Sequence, residues 1–313
     1  MQLYKSRTFG AYFSDTFTFL KENGKHFYKN YFIVNGLFIL ILLALTFFFS
    51  RYYLDFIFAD SFSAEYQDSP GVFAKGNEFL LLVFFFIFFV VAACVAIINY
   101  AYTPIYFKLY DKNSGAYFSK DEIFNQLKSN LGKIFLFLLA GVLIAIPIFL
   151  VVFIAVAVLA VTIIGIPLII IPLAWLTQFY FIAFMEYLQS EKGIFDCFSY
   201  SFTMSFKNFG ATNGSVALFY LMIQVVQGIL TMIPYILGIG AIFVGSSDYT
   251  GAGNEGLSTT FTTMIVFIYM LSFFLNLFLM TVLQTNQSII YYSLKEETEN
   301  IHTSSTIDEI GNF

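Results

Sequence analysis

The charge-free run from Ile134 to Met185 constrains the fold of this chain more than any other feature. It holds 52 residues without one Asp, Glu, Lys or Arg, and a second such run, of 40 residues, extends from Asn208 to Ser247. Because one helix crosses the hydrocarbon core of a bilayer with about 20 apolar residues, the first run predicts two membrane spans. Gly165 and Pro167 mark the turn between them. Charged residues make up only 11% of the chain, against about 25% in soluble domains, which is too few for a water-facing surface.

The apolar segments predict an all-α polytopic membrane protein with six transmembrane helices. Basic residues indicate the orientation, because Lys and Arg are enriched in cytoplasmic loops. Of the 15 Lys and Arg residues, 13 fall on one side of the predicted membrane, and the other side holds only Arg51 and Lys75. We therefore expect three hairpins with both termini in the cytoplasm, an outer loop at 238–260, and no cleavable signal peptide. The predicted spans are 31–50, 79–103, 134–160, 168–188, 214–237 and 261–290.

Three amphipathic stretches precede the first, third and fifth spans, and each follows the 3.6-residue period of a helix. The second begins with a capping box from Ser119 to Glu122. We expect one membrane domain over 1–295, built from three repeats of a cytoplasmic-face amphipathic helix and a hairpin. The alternative is amphipathic connectors and aromatic belts without any repeat. The polar segment 296–313 predicts a disordered cytoplasmic tail. The predicted repeats are 8–112, 116–192 and 193–295, with apolar stripes at Phe9, Phe13, Phe17, Leu20, Gly24 and Phe27; Ile123, Leu127, Leu131 and Ile134; and Phe195, Phe198, Phe202, Phe206 and Phe209.

Short motifs in the third repeat resemble a known membrane domain. Glu186 is followed by Gly193-Ile194-Phe195-Asp196-Cys197, Ser201, Met204 and Lys207-Asn208, and the last span ends with Tyr291-Tyr292-Ser293-Leu294-Lys295. This pattern is similar to the six-helix membrane domain fused to some bacterial glycerophosphodiester phosphodiesterases, and to its stand-alone relatives. The resemblance implies a fold and a location rather than a reaction, because all 313 residues are used by the membrane part and its tail.

The sequence offers no set of residues suited to catalysis, a metal or a cofactor. Its two histidines, His26 and His302, and its two cysteines, Cys94 and Cys197, form no ligand cluster. Neither histidine is expected within the spans as a base for a nucleophile. The few basic residues are mixed with acids, which does not favour nucleic acid as a partner. We therefore expect no enzymatic activity, no cofactor and no metal site.

Glu186 is the only acid within a mainly apolar stretch, near the end of the fourth span. We expect it to pair with a lysine such as Lys108 or Lys192, and a role in gating or binding is the alternative. Three further residues, Gln224, Gln227 and Asn276, are candidates for a polar seam between the fifth and sixth spans. Amides in lipid are otherwise ordinary interhelical hydrogen-bond partners.

Lys21, Lys25 and Lys29 form an i, i+4, i+8 stripe that ends where the first span begins. Anionic lipid headgroups attract each such lysine by about 1 kcal/mol, so we expect contact with headgroups. Docking of an acidic partner is the alternative.

The composition favours a bacterial inner membrane, because Lys outnumbers Arg 13 to 2 and Phe, Tyr, Asn and Ile are abundant. The functional hypothesis is a non-catalytic accessory or scaffold subunit of a larger membrane assembly, such as one for protein export or envelope biogenesis. Its expected partners are membrane lipids and other integral membrane proteins. The alternative is a carrier or channel-like protein for a small apolar or lipid-like substrate.

Overall fold

The computed structural model describes residues 1–62, 78–245 and 254–301, and the regular structure in these ranges is helical throughout. Six stretches are long and apolar enough to cross a membrane, which confirms the predicted number of apolar spans. These stretches are Phe9–Ser50, Leu82–Lys112, Lys120–Ala160, Gly165–Gln189, Phe209–Ile233 and Thr263–Glu299. The helices are α1 (Phe9–Phe62), α2 (Glu78–Lys112), α3 (Lys120–Ala160), α4 (Gly165–Leu168), α5 (Ile170–Gln189), α6 (Ile194–Ser205), α7 (Phe209–Gly245) and α8 (Asn254–Glu299).

Two of the three amphipathic stretches are continuous with the span that follows them. The first belongs to α1, and the second opens α3, where the predicted capping box is confirmed. Glu122 N–H donates to Ser119 Oγ at 3.4 Å, and Ser119 N–H donates to Glu122 Oε1 at 3.0 Å. Only the third stretch is a separate helix, α6, because the chain leaves the helical conformation at Asn208, which has a positive φ of 48°.

The predicted turn at Gly165 is confirmed as the break between the two long apolar helices α3 and α5. The chain forms the one-turn helix α4 there. A Cβ on Gly165 would lie 2.0 Å from the carbonyl oxygen of Leu159. Only glycine therefore allows the backbone to approach so closely at this turn.

The helices extend further into the predicted loops than expected. Arg51 lies within α1, and the predicted outer loop 238–260 is shorter, because α7 continues to Gly245 and α8 begins at Asn254. Residues 296–299 of the predicted tail are helical, so the folded part passes the predicted boundary at 295. Lys75, His302 and the rest of the tail after Ile301 lie outside the described residues.

The chain forms two compact units. Unit 1 comprises Met1–Val34, Ile98–Ile223 and Leu279–Phe313, and unit 2 comprises Asn35–Ile97 and Gln224–Phe278. In unit 1, α3 packs on α5, where Tyr180 donates to the carbonyl of Gly141 at 3.1 Å and the rings of Phe137 and Phe184 lie 4.8 Å apart. In unit 2, the ring of Phe49 packs on Phe85 and Phe88 at 5.6 and 5.8 Å.

The buried face of α6 includes only one residue of the predicted phenylalanine stripe, Phe198, which is 5% exposed. Cys197, Ser201 and Met204 are buried, whereas Phe195 and Phe202 are more than half exposed. Small and polar residues let helices pack closely and hydrogen-bond, while lipid is as apolar as phenylalanine and exerts no force to bury it. The same physics explains α1, where Tyr12, Thr16 and Phe19 are buried and Phe9 and Phe17 are exposed.

Candidate functional site

A run of polar residues on α8 forms the centre of unit 1. Six of the eight residues from 281 to 288 carry uncharged polar side chains, and all six are buried. A helix rises 1.5 Å per residue, so this run lies about 10 to 21 Å along α8 from Lys295. The buried polar residues of the run are Thr281, Gln284, Thr285, Asn286, Gln287 and Ser288.

Glu186 on α5 is the charged centre of unit 1 and is only 1% exposed. Lys192 Nζ lies 2.7 Å from Oε1, and Lys295 Nζ lies 3.1 Å from Oε2. The hydroxyl of Tyr291 also donates to Oε2, at 2.6 Å. Of the two lysines expected as partners of Glu186, Lys192 forms the pair. Lys108 instead donates to the carbonyl of Leu188. Glu186 therefore joins α5, the segment before α6 and the end of α8.

Polar contacts continue around this cluster. Tyr292 donates to the carbonyl of Phe107 at 3.2 Å and accepts from Gln189 Nε2 at 2.9 Å. The Lys192 ammonium lies 3.9 Å from the ring centroid of Tyr200, whose hydroxyl donates to Glu299 at 2.7 Å. Burial, with the Glu299 carboxylate nearby, raises the pKa of Tyr200 above its ordinary value. The Tyr200 hydroxyl therefore stays protonated and acts as a donor at neutral pH.

Asn286 is the centre of a second, uncharged cluster that joins α1, α7 and α8. Its Nδ2 lies 3.0 Å from both Thr16 Oγ1 and Ser215 Oγ, and 3.4 Å from the carbonyl of Tyr12. The Tyr12 hydroxyl in turn donates to Ser293 at 3.1 Å. Next to this cluster on α8, Gln287 donates to Thr177 of α5 at 3.4 Å.

Several polar side chains of unit 1 keep buried atoms without a hydrogen-bond partner among the described residues. On α5, Gln178 is 0% exposed and both its Nε2 and its Oε1 are unpaired. Thr103 Oγ1 on α2, Asn213 Oδ1 on α7 and Gln284 Oε1 on α8 are further cases. An unpaired amide inside an apolar protein is costly.

The predicted polar seam forms only in part. In unit 2, Ser272 Oγ donates to Gln227 Oε1 at 2.6 Å, and Gln227 Nε2 donates to the carbonyl of Ser272 at 3.2 Å. Gln224 is exposed and Asn276 is half-buried, and their membership of a polar seam stays a prediction.

The predicted lysine stripe is exposed at all three of its positions, Lys21, Lys25 and Lys29. Contact between these lysines and lipid headgroups stays a prediction. Nearby, His26 is part of the packing of α1: its Nδ1 lies 2.8 Å from the Tyr106 hydroxyl and its Nε2 lies 2.9 Å from the carbonyl of Phe118.

Both cysteines are free thiols, and Cys197 is fully buried. Burial raises the pKa of the Cys197 thiol above its ordinary value. Within residues 1–62, 78–245 and 254–301, no three His, Cys, Asp or Glu side chains are grouped as metal ligands. The clusters of unit 1 offer ammonium, carboxylate, hydroxyl and amide groups, which suit hydrogen bonding and charge pairing.

Sequence reasoning missed the importance of α8. The signal was present as Gln284-Thr285-Asn286-Gln287-Ser288, five consecutive uncharged polar residues next to an apolar span. The polar-seam candidate on this helix was Asn276, whereas Asn286 makes the buried contacts. Comparisons of the chain with protein-family models, with curated proteins and with solved structures found no match.

Proposed function

We propose that this chain is a non-catalytic accessory or scaffold subunit of a larger membrane assembly, and that it acts through the surfaces of its helices. The exposure of α3 is the observation that carries this proposal. Only 6% of the most apolar 18-residue window of α3 is buried. Exposed side chains along it include Val142, Ile146, Phe149 and Phe153, each more than half exposed.

The buried polar groups support the same proposal. Glu186 is neutralised by two lysines, and the Asn286 amide bonds to hydroxyl groups on two other helices. Such contacts lock the helices of unit 1 together, since each interhelical hydrogen bond in lipid contributes about 0.6–2 kcal/mol. A rigid unit that carries a long apolar surface is suited to van der Waals packing against the helices of a partner.

The proposal includes the topology and the location. Three hairpins with both termini in the cytoplasm follow from the distribution of basic residues, 13 on one side and two on the other. A bacterial inner membrane follows from the composition. The resemblance to the membrane domain of some glycerophosphodiester phosphodiesterases agrees with both, and it implies no reaction.

The test is purification from membranes in a mild detergent, followed by mass spectrometry of intact complexes. The tagged wild-type chain is compared with a double variant in which Phe149 and Phe153 are replaced by alanine. Both side chains are more than half exposed, so the substitutions leave the interior of unit 1 intact. We expect the wild type to carry at least one membrane protein in fixed stoichiometry, and the variant to lose most of it.

A matched control uses two phenylalanines on another span that are also more than half exposed, Phe86 and Phe89 of α2, at 69% and 71% exposure. Replacing both by alanine changes the apolar surface by the same amount at a different position. The control is expected to retain the partner. A wild-type chain that purifies alone, or a partner lost equally from both variants, would contradict the proposal for α3.

A carrier for a small apolar or lipid-like substrate is the second candidate function. It is favoured by the unpaired amide of Gln178, which is fully buried within unit 1. Polar side chains enclosed in a membrane bundle often belong to substrate pathways. A single species that retains one lipid per chain, and that loses this lipid in Gln178→Leu, would favour the carrier over the scaffold.

A further inference from the structure

Gln178 is an unusual residue within unit 1 because its whole amide is enclosed and unpaired among the described residues. It lies on α5 between Thr177, which bonds to Gln287 of α8, and Phe181, which packs on Tyr100 of α2 at 6.1 Å. Burying an amide without a hydrogen bond is costly, because the group loses its bonds to water and gains none in return. A native membrane protein is therefore expected to supply a partner for it.

The contacts of α2 and α8 with α5 bring two further unpaired groups to the region of Gln178. Gln284 precedes Gln287 by one turn on α8, and Gln287 contacts the neighbour of Gln178. Thr103 follows Tyr100 by one turn on α2, and Tyr100 packs on α5. The buried atoms Gln284 Oε1 and Thr103 Oγ1 thus belong to the helix surfaces that adjoin Gln178.

The chemistry of these atoms matches one class of ligand. Gln178 Nε2 is a donor, Gln178 Oε1 and Gln284 Oε1 are acceptors, and Thr103 Oγ1 is both. The nearest charge on α5, Glu186, lies eight residues away and is already paired with Lys192 and Lys295. A neutral molecule that donates and accepts equally fits this set, and a charged one does not.

We propose that ordered water molecules bind between α2, α5 and α8 at Gln178, Gln284 and Thr103. Buried waters in proteins usually make about three hydrogen bonds to groups that would otherwise be unsatisfied. This hydration site is independent of the proposed scaffold function, because it concerns the interior of unit 1 and not the exposed surface of α3.

X-ray hydroxyl-radical footprinting of the purified full-length chain tests this site, because radicals generated from bound water modify side chains beside it. The reporter is Phe181, 1% exposed and one turn from Gln178, and the reference is Phe219, 2% exposed and packed on Phe13 and Phe17. We expect Phe181 to be modified severalfold faster than Phe219, because the proposed waters lie beside Phe181 and not beside Phe219.

Gln178→Leu is expected to lower the rate at Phe181 to that of Phe219. The control Gln227→Leu, which removes an amide of unit 2 paired with Ser272, should leave it unchanged. If Gln178→Leu does not fold, Thr103→Val replaces it, with a severalfold decrease expected. Equal rates at Phe181 and Phe219 in the wild type would overturn the proposal. An organic molecule retained by the wild type and lost by Gln178→Leu would overturn it too, in favour of a larger ligand.

Discussion

Replacing Glu186 by glutamine keeps the shape of the side chain and removes its charge. In the wild type the carboxylate accepts from Tyr291 and pairs with Lys192 and Lys295. A glutamine offers one acceptor oxygen, and its NH2 group would face a lysine ammonium, which is also a donor. The substitution therefore leaves two positive charges close together at a largely buried position.

The loss of unfolding free energy expected for Glu186→Gln depends on how deeply each lysine is buried. Removing one partner of a buried ion pair costs about 3–5 kcal/mol. Lys192 is 41% exposed and regains hydration when the pair is broken, whereas Lys295 is 12% exposed. An exposed pair contributes at most about 1 kcal/mol, so most of the effect comes from Lys295. We expect Glu186→Gln to lower the free energy of unfolding by about 3 kcal/mol.

Equilibrium unfolding in mixed detergent and SDS micelles measures this change. The single tryptophan, Trp175, lies on α5 and donates to Ser205 of α6 at 3.0 Å, so its fluorescence reports on unit 1. The matched control is Asp111→Asn, which also removes one carboxylate charge. Asp111 accepts from the hydroxyl of Tyr4 at 3.0 Å, so the loss expected there is about 1 kcal/mol.

The two lysines are expected to differ in their contribution to stability. Lys295→Met should destabilise more than Lys192→Met, because Lys295 has less access to solvent. The account of this cluster would be refuted if Glu186→Gln cost no more than Asp111→Asn. It would also be refuted if the lysine ranking were reversed.

Three further predictions concern the interior of the spans and the third amphipathic stretch. Asn286→Leu should lower the free energy of unfolding by about 1–3 kcal/mol in the same assay, because it leaves buried hydroxyls without a hydrogen-bond partner. Asn276→Leu, at a half-buried site, should cost less. Equal costs would contradict the central role of Asn286. Gly165→Ala should cost about 2 kcal/mol, because the added Cβ would overlap a backbone oxygen, and an unchanged stability would mean that this turn opens freely. In a Cys94→Ala background, Cys197 should react with maleimide at pH 7.5 only after unfolding, because its thiol is buried and has a raised pKa. Rapid labelling of the folded protein would show that α6 detaches from the rest of unit 1.

The six apolar spans were predictable because their signal is local. Charge-free runs and the 20-residue length of a span are properties of the sequence alone. The capping box at Ser119 and the break at Gly165 are local too, and both are confirmed. The ends of the spans were less predictable, because α1, α7 and α8 continue past the apolar segments into residues of mixed polarity.

The polar core was not predictable in the same way. Pairing of Glu186 with Lys192 was expected from their proximity in the sequence, but the bonds from Tyr291 and Lys295 span more than 100 residues. Gln224 and Asn286 are both uncharged amides within predicted spans, and packing makes the first exposed and the second buried. In lipid, apolarity does not indicate which face of a helix is buried, so the pattern of apolar residues could not distinguish them, and only the polar run from Gln284 to Ser288 marks Asn286.

The arrangement of the spans is tested most directly by labelling two engineered cysteines in a Cys94→Ala, Cys197→Ala background expressed in bacteria. Ser129→Cys, at an exposed position near the start of α3, is predicted to face the cytoplasm, and Ser247→Cys the outside. A membrane-impermeant maleimide should label position 247 in intact cells and position 129 only after the membrane is permeabilised. Labelling of both positions in intact cells, or the reverse pattern, would contradict the account.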